Sequence, residues 1–157
     1  VSHGLGTFEE VPPDAAEMET RRLAVVGRGL PYLVAETQGK ILGFAYAGPF
    51  RMRAAYRYTV EDSVYVAPDA VGQGVGKAVL EAVLLSCQAL GLRQVVAVIG
   101  DSDNAASIAL HRALGFQPAG VGKGFGYKHG RWVDIVWMQK PLNGGLHTEP
   151  DAPGIAL

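Results

Sequence analysis

The sequence predicts a single α/β domain built on one mixed sheet. Three observations carry this. Strand-like and helix-like segments alternate from residue 14 to residue 139. A glycine-rich turn over residues 71–78 joins one strand to the longest helix. The chain has 157 residues and no internal repeat, which suits one domain with its own core.

The elements follow in order. Residues 1–13 are a short polar-apolar stretch that ends at Pro12-Pro13. Asp14 caps a helix running to about Gly27, with Glu17 and Glu19 early and Arg21 and Arg22 late, as the helix dipole favours. Residues 33–36 and 41–46 read as two strands. Gln38-Gly39 between them supplies the positive φ that a tight hairpin turn requires. Residues 48–57 hold Gly48-Pro49, Arg51, Arg53 and Arg57 and read as a loop. A third strand covers 59–67 and stops at Pro68-Asp69. Beyond the glycines, Val75, Val79, Leu80, Val83, Leu84, Cys87 and Leu90 recur at three-to-four spacing and form one apolar stripe. Gly91 ends that helix. Residues 95–99 are a continuous apolar run, as in a strand buried on both faces. Asn104 caps a further helix through Leu114, which Gly115 stops. Residues 132–139 form the last strand. From Asn143 the chain is rich in Gly and Pro, so residues 1–142 are expected to be the domain and 143–157 a flexible tail.

Composition removes several function classes. With 48% hydrophobic and 18% charged residues the chain is not a disordered one. A formal net charge of −1 does not suit nucleic acid as a partner. The single cysteine, Cys87, leaves no intrachain disulfide and no multi-cysteine metal site, and a reducing, cytoplasmic setting is expected. No apolar run of about 18 residues marks a membrane span. His3 and His147 lie near the ends without metal spacing, so no metal is expected. No Gly-x-Ser-x-Gly elbow supports a serine hydrolase.

The glycine turn is the first candidate site. Gly72, Gln73, Gly74, Val75, Gly76 and Lys77 lie where a strand passes into a helix. Free backbone N–H groups and the positive helix end converge there, which suits a phosphate or pyrophosphate. A Walker loop fails at two positions: Val71 stands where its first glycine belongs, and Ala78 replaces its hydroxyl. A dinucleotide fingerprint fails where Lys77 occupies its third glycine. A pyrophosphate turn of an acyl-CoA enzyme and a plain strand–helix connection both remain open.

The remainder of the chain narrows the choice. Asn104-Ala105-Ala106-Ser107-Ile108-Ala109-Leu110-His111-Arg112-Ala113-Leu114-Gly115-Phe116 resembles the second acetyl-CoA motif of the GNAT superfamily of N-acetyltransferases, and it follows the first motif by one strand. Tyr46-Ala47-Gly48-Pro49-Phe50-Arg51, the run from Tyr58 to Val66, the run from Val95 to Gly100, and Tyr127-Lys128-His129-Gly130-Arg131-Trp132 resemble the phosphinothricin N-acetyltransferase group. That group includes relatives acting on methionine sulfone and methionine sulfoximine. The resemblance runs to about Leu142. It implies the acetyltransferase fold, acetyl-CoA as donor, a small amino-acid-like acceptor and a homodimer. Members of the group usually begin with one more strand and most of a helix, so this chain is expected to lack the first strand and part of the first helix. Val71 stands where Gln or Arg is usual, and His111 where the wider superfamily has tyrosine.

The resemblance also assigns roles. Glu61 is the candidate general base, acting through water or after burial raises its pKa; the plainer alternative is a polar strand end beside Asp62. The backbone of Val64, Tyr65 and Val66 would pair with the pantetheine arm as an added strand. Asn104 and Ser107 would contact the donor, although capping alone explains Asn104. His111 would protonate the leaving thiolate, or would pack near the sulfur. Arg51 and Arg53, two apart in an extended segment, would face one way and bind a carboxylate, phosphinate or sulfonyl group, with Tyr56 beside them. Plain solubilising charge is the alternative. Lys128 and His129 would close the acceptor pocket. Cys87 is a buried structural residue on its helix stripe. Three functions follow: an acetyltransferase for anionic amino acids, an acetyltransferase for another small amine, or a non-catalytic coenzyme A binder.

Overall fold

The computed structural model describes residues 1–157. It contains α1 (Ala15–Val26), β1 (Tyr32–Thr37), β2 (Lys40–Pro49), β3 (Thr59–Val66), α2 (Val75–Ala89), β4 (Gln94–Gly100), α3 (Ala105–Ala113), β5 (Gln117–Lys128) and β6 (Arg131–Pro141). Short 3-10 turns occupy Ala54–Tyr56 and Pro68–Ala70. The six strands form one sheet in the order β1-β2-β3-β4-β6-β5. Every neighbouring pair is antiparallel except β3 and β4. The α/β mixed sheet expected from the sequence is present.

Local chemistry sets the element ends. The Asp14 side chain accepts from the Glu17 N–H at 2.8 Å and starts α1. Gln38 and Gly39 have φ values of 49° and 76° and turn β1 into β2. The apolar stripe of α2 buries Val79, Leu80, Val83, Leu84 and Cys87. It packs on β1, β2 and β3, where Ala45 and Ala47 are fully buried and their small side chains let the helix come close. The core continues through Leu92, Val95, Ala97 and Met138.

Two parts of the chain differ from expectation. The glycine-rich segment before residue 131 is a strand, β5, of 12 residues. Its glycines make room for rings: a Cβ at Gly126 would lie 2.5 Å from Phe8, and one at Gly122 would lie 2.6 Å from Phe125. Pairing with β6 supplies the order that the local sequence does not, through two register shifts and a Gly124 N–H donated to Asp134 Oδ1. The segment from Asn143, expected to be flexible, has defined anchors. The buried Arg93 donates to Gly145 O at 2.9 and 3.1 Å and to Thr148 O at 2.6 Å. Asn143 Nδ2 donates to Gln88 O and Leu92 O, and Ile155 enters the core with its N–H on Arg57 O at 2.8 Å. Its Gly and Pro content had suggested mobility, but one buried guanidinium collects its carbonyls.

Candidate active site

The site begins with a parting of strands. Parallel pairing of β3 with β4 covers only Thr59, Val60 and Glu61, opposite Gln94, Val95 and Val96. Beyond Glu61, β3 keeps its pairing with β2 but loses β4, while β4 continues along β6. Backbone groups of residues 62–66 therefore face an open edge, which an amide-bearing ligand can pair with. A cleft of about 860 Å³ fills this gap. Glu61, Val64, Tyr65 and Val66 line it from β3, and Asn104, Ser107 and His111 from α3.

The glycine turn closes one end. Gly72 and Gly74 have φ values of 81°, which costs a residue with a Cβ about 1–2 kcal/mol. Gly74 is the N-cap of α2 and offers no side chain to the helix end. The first α-helical bond runs from Ala78 N–H to Gly74 O, so the N–H groups of Val75, Gly76 and Lys77 have no partner within the helix. Gly76 permits close packing: a Cβ there would meet Val66 at 3.2 Å and Leu110 at 3.3 Å. Gly72, Gly74, Val75, Gly76 and Lys77 all line the cleft. Gln73 does not; its side chain donates to Asp69 O at 2.8 Å and stiffens the turn.

Glu61 stands where the strands part and is half-buried. Burial raises its pKa, the Arg51 guanidinium pulls it back, and the neighbouring Asp62 carboxylate raises it further, for a net rise. The opposite face of β3 holds a second charged group. Asp62 is buried, and its Oδ2 lies 3.0 Å from His111 Nε2. His111 Nδ1 lies 2.7 Å from Ser107 O. Burial works against charge on His111, but Asp62 and the Ser107 carbonyl outweigh it and hold the pKa up.

A cleft between splayed strands, with a glycine-cradled helix N-terminus at its end, suits a ligand that carries a pyrophosphate and an amide-bearing arm. The Acetyltransferase (GNAT) family model matches residues 5–116. The chain belongs to the GNAT acetyltransferase family. It is 55% identical to a phosphinothricin N-acetyltransferase of Alcaligenes faecalis over 151 residues, 96% of this chain and 77% of that protein. It is 41% identical to an L-methionine sulfoximine/L-methionine sulfone acetyltransferase of Pseudomonas paraeruginosa over 144 residues, 91% of this chain and 83% of that one. Among solved structures, it superposes on a GNAT phosphinothricin acetyltransferase from Sinorhizobium meliloti in complex with AcCoA with a TM-score of 0.91 and 50% identity, covering 95% of this chain and 80% of the other.

Other expected residues of this GNAT chain fall outside the cleft. Arg51, Arg53 and Tyr56 lie on the connection between β2 and β3 and do not line it. That connection bends at Met52 and Arg53, so strand alternation does not align the two arginines. Arg51 lies 4.5 Å over the Phe50 ring and is close enough to shift Glu61; Tyr56 packs edge-on against Phe50. Arg53 caps the 3-10 turn without a side-chain bond. Lys128 departs most from expectation: it is buried, and its Nζ donates to Val1 O at 2.8 Å and Thr7 O at 2.7 Å. It pins the N-terminal segment. His129, exposed at φ 50°, turns the β5–β6 hairpin with Gly130.

Sequence reasoning missed two contributors. Gly4, Gly6, Thr7 and Phe8 form a wall of the cleft; nothing local announces this, because Lys128 holds them there from the far end of the chain. Asp62 carried a usable signal. Strand alternation puts it opposite Glu61, and a carboxylate on the inner face of a strand needs a partner.

Proposed function

We propose that the protein transfers the acetyl group of acetyl-CoA directly to the α-amine of a small anionic amino acid, of the phosphinothricin, methionine sulfoximine or methionine sulfone type. One observation carries the proposal: Glu61, with a raised pKa and Arg51 nearby, sits where β3 leaves β4 at the cleft. The named activities of the relatives from Alcaligenes faecalis and Pseudomonas paraeruginosa support the choice of acceptor.

The residues present fit the donor. Three unpartnered N–H groups at the start of α2 suit its pyrophosphate, and glycines that leave open space admit it. Asn104 and Ser107 flank it from α3, and the free edge of residues 64–66 suits its amide-bearing arm. When bound, acetyl-CoA supplies an activated thioester. Glu61 takes the proton from the acceptor's ammonium, so that the amine lone pair is free to attack the thioester carbonyl. The C–N bond forms, the C–S bond breaks, and coenzyme A leaves as a thiolate that takes up the second proton shed by the nitrogen. A raised pKa of Glu61 narrows the mismatch with the first proton. A backbone N–H near Val64 stabilises the oxygen on which charge develops. Arg51, close enough to act on Glu61, holds the acceptor's anionic end, while Arg53 and Tyr56 shape the loop that carries it. The proposal includes a homodimer, supported by the exposed Phe125, Tyr127 and Trp132 of the β5–β6 hairpin, and light scattering reads it.

The test is release of free thiol from acetyl-CoA. Phosphinothricin, methionine sulfoximine, methionine sulfone and spermidine are offered, with a control lacking acceptor. Release with the three anionic amino acids and not with spermidine is expected. Release with spermidine alone defeats the acceptor assignment and leaves the family intact.

A further inference from the structure

Asp62 and His111 lie 49 positions apart and join β3 to α3 through a nearly solvent-free contact. The side chains are 1% and 3% exposed. Both ring nitrogens of His111 are engaged. A carbonyl oxygen only accepts, so the 2.7 Å contact with Ser107 O requires a proton on Nδ1. Nε2 faces Asp62 Oδ2 at 3.0 Å, where a second proton completes an ion pair. The ring is also packed edge-on against Phe116, with centroids 5.0 Å apart. Neither nitrogen retains an N–H directed at the cleft. The chain of contacts continues: the Ser107 N–H donates to Asn104 Oδ1, and Asn104 Nδ2 donates to Gly100 O. One polar path thus runs from β3, beside Glu61, through α3 to the end of β4.

We propose that Asp62 is a positioning residue that holds His111 doubly protonated, so that His111 serves as a fixed clamp between β3 and α3 and not as the acid that protonates the leaving thiolate. This rests on the proposed acetyl transfer for its kinetic consequence but not for its structural one. The clamp fixes the distance between Glu61 and the α3 wall. A base misplaced by about 1 Å loses on the order of 100-fold in rate. The groups facing the pair are Ser107 from α3, Phe116 after α3, and Cys87 from α2, whose thiol burial and the Asp62 carboxylate push up to about 12; Glu61, next along β3, points to the other face. Cys87 therefore stays neutral and does not compete for the proton. Asp62 Oδ1 has no hydrogen-bond partner, so the pair leans on His111 alone.

The first measurement is the nitrogen NMR spectrum of His111 in the wild-type protein, followed through the range where an ordinary imidazole titrates, near pH ~6.5. Two protonated nitrogens throughout are expected. A neutral ring with one protonated nitrogen, or an ordinary titration, overturns the proposal. This reading needs no turnover, so it is separable from failure of the acetyl-transfer assignment. The second measurement is the variant Asp62→Asn. Burial then opposes the charge on His111 without the carboxylate to offset it, so the ring is expected to be neutral through that range, and kcat to fall about 10- to 100-fold with acetyl-CoA affinity within about threefold. His111→Gln is expected to lose a similar factor, and the double variant no more than either alone. Additive losses, or a wild-type kcat that follows a His111 titration, overturn it. If Asp62→Asn does not fold, the wild-type spectrum decides.

Discussion

Glu61 takes its character from its burial and from two neighbours, and each leaves a measurable mark. Under the proposed role as base, its protonated form cannot accept a proton, so activity is expected to fall as pH drops through its pKa. Burial and Asp62 raise that pKa, which puts the acid limb of kcat/KM above the ordinary glutamate range near ~4.3. Arg51 works the other way. Arg51→Gln is therefore expected to move the acid limb to higher pH, as well as to raise the acceptor KM. An unmoved limb would mean that Glu61 is not the base. Glu61→Gln is expected to lower kcat by about 10²–10⁴, while calorimetry still records acetyl-CoA binding. His111 contributes to stability in the opposite sense to a salt-bridged acid. Its pKa is raised on folding, so its contribution is complete below the ordinary histidine pKa and is lost as pH rises through the folded value. Urea midpoints taken across that interval should decline with pH in the wild type and lose this component in His111→Gln.

The two helix N-termini that bound the cleft are built differently. α3 is capped by a side chain: Asn104 Oδ1 accepts from the Ser107 N–H at 3.2 Å. Asn104→Ala is expected to cost about 1 kcal/mol, read as a shifted urea midpoint. α2 has no side-chain cap, only Gly74 at φ 81°. Gly74→Ala meets no atom within 4 Å, so its cost is backbone strain, about 1–2 kcal/mol. Relief of that strain would turn the N–H groups of residues 75–77, and weaker acetyl-CoA binding should accompany the loss of stability. An uncapped end leaves its donors to a ligand, whereas a capped end is committed to the fold. β5 shows the reverse relation between sequence and element. Four glycines in 12 residues contradict strand propensity, and its order comes from β6 and from aromatic rings seated over the glycines.

Across the whole molecule, the terminal segments shape the site from a distance. Residues 143–157 return beneath the β2–β3 connection, where Ile155 joins the core and pairs with Arg57, one residue past Tyr56. Ile155→Ala is expected to cost about 2–3 kcal/mol. It should raise the acceptor KM more than that for acetyl-CoA, since it loosens the segment carrying Arg51 and Arg53 and leaves the glycine turn alone. Equal effects on both constants would show that the segment only adds stability. At the other end, Lys128 holds the N-terminal wall through two carbonyls.

Much of this was legible in the sequence, for a physical reason. The α2 stripe, the Asp14 and Asn104 caps, the Gln38-Gly39 turn and the glycine turn are local patterns, set by periodicity and by single-residue backbone preference. Glu61 was singled out through the resemblance, at the start of the strand that leads into the turn. Lys128 was misjudged, β5 was missed, and the anchors of the last 15 residues were unseen, because each depends on a partner remote in the chain. Tertiary structure alone decided where β3 and β4 part, since a register ending at Glu61 is a property of two strands and not of either. It alone brought Asp62 to His111, because an isolated buried carboxylate is too costly to leave unpaired and only folding selects the partner.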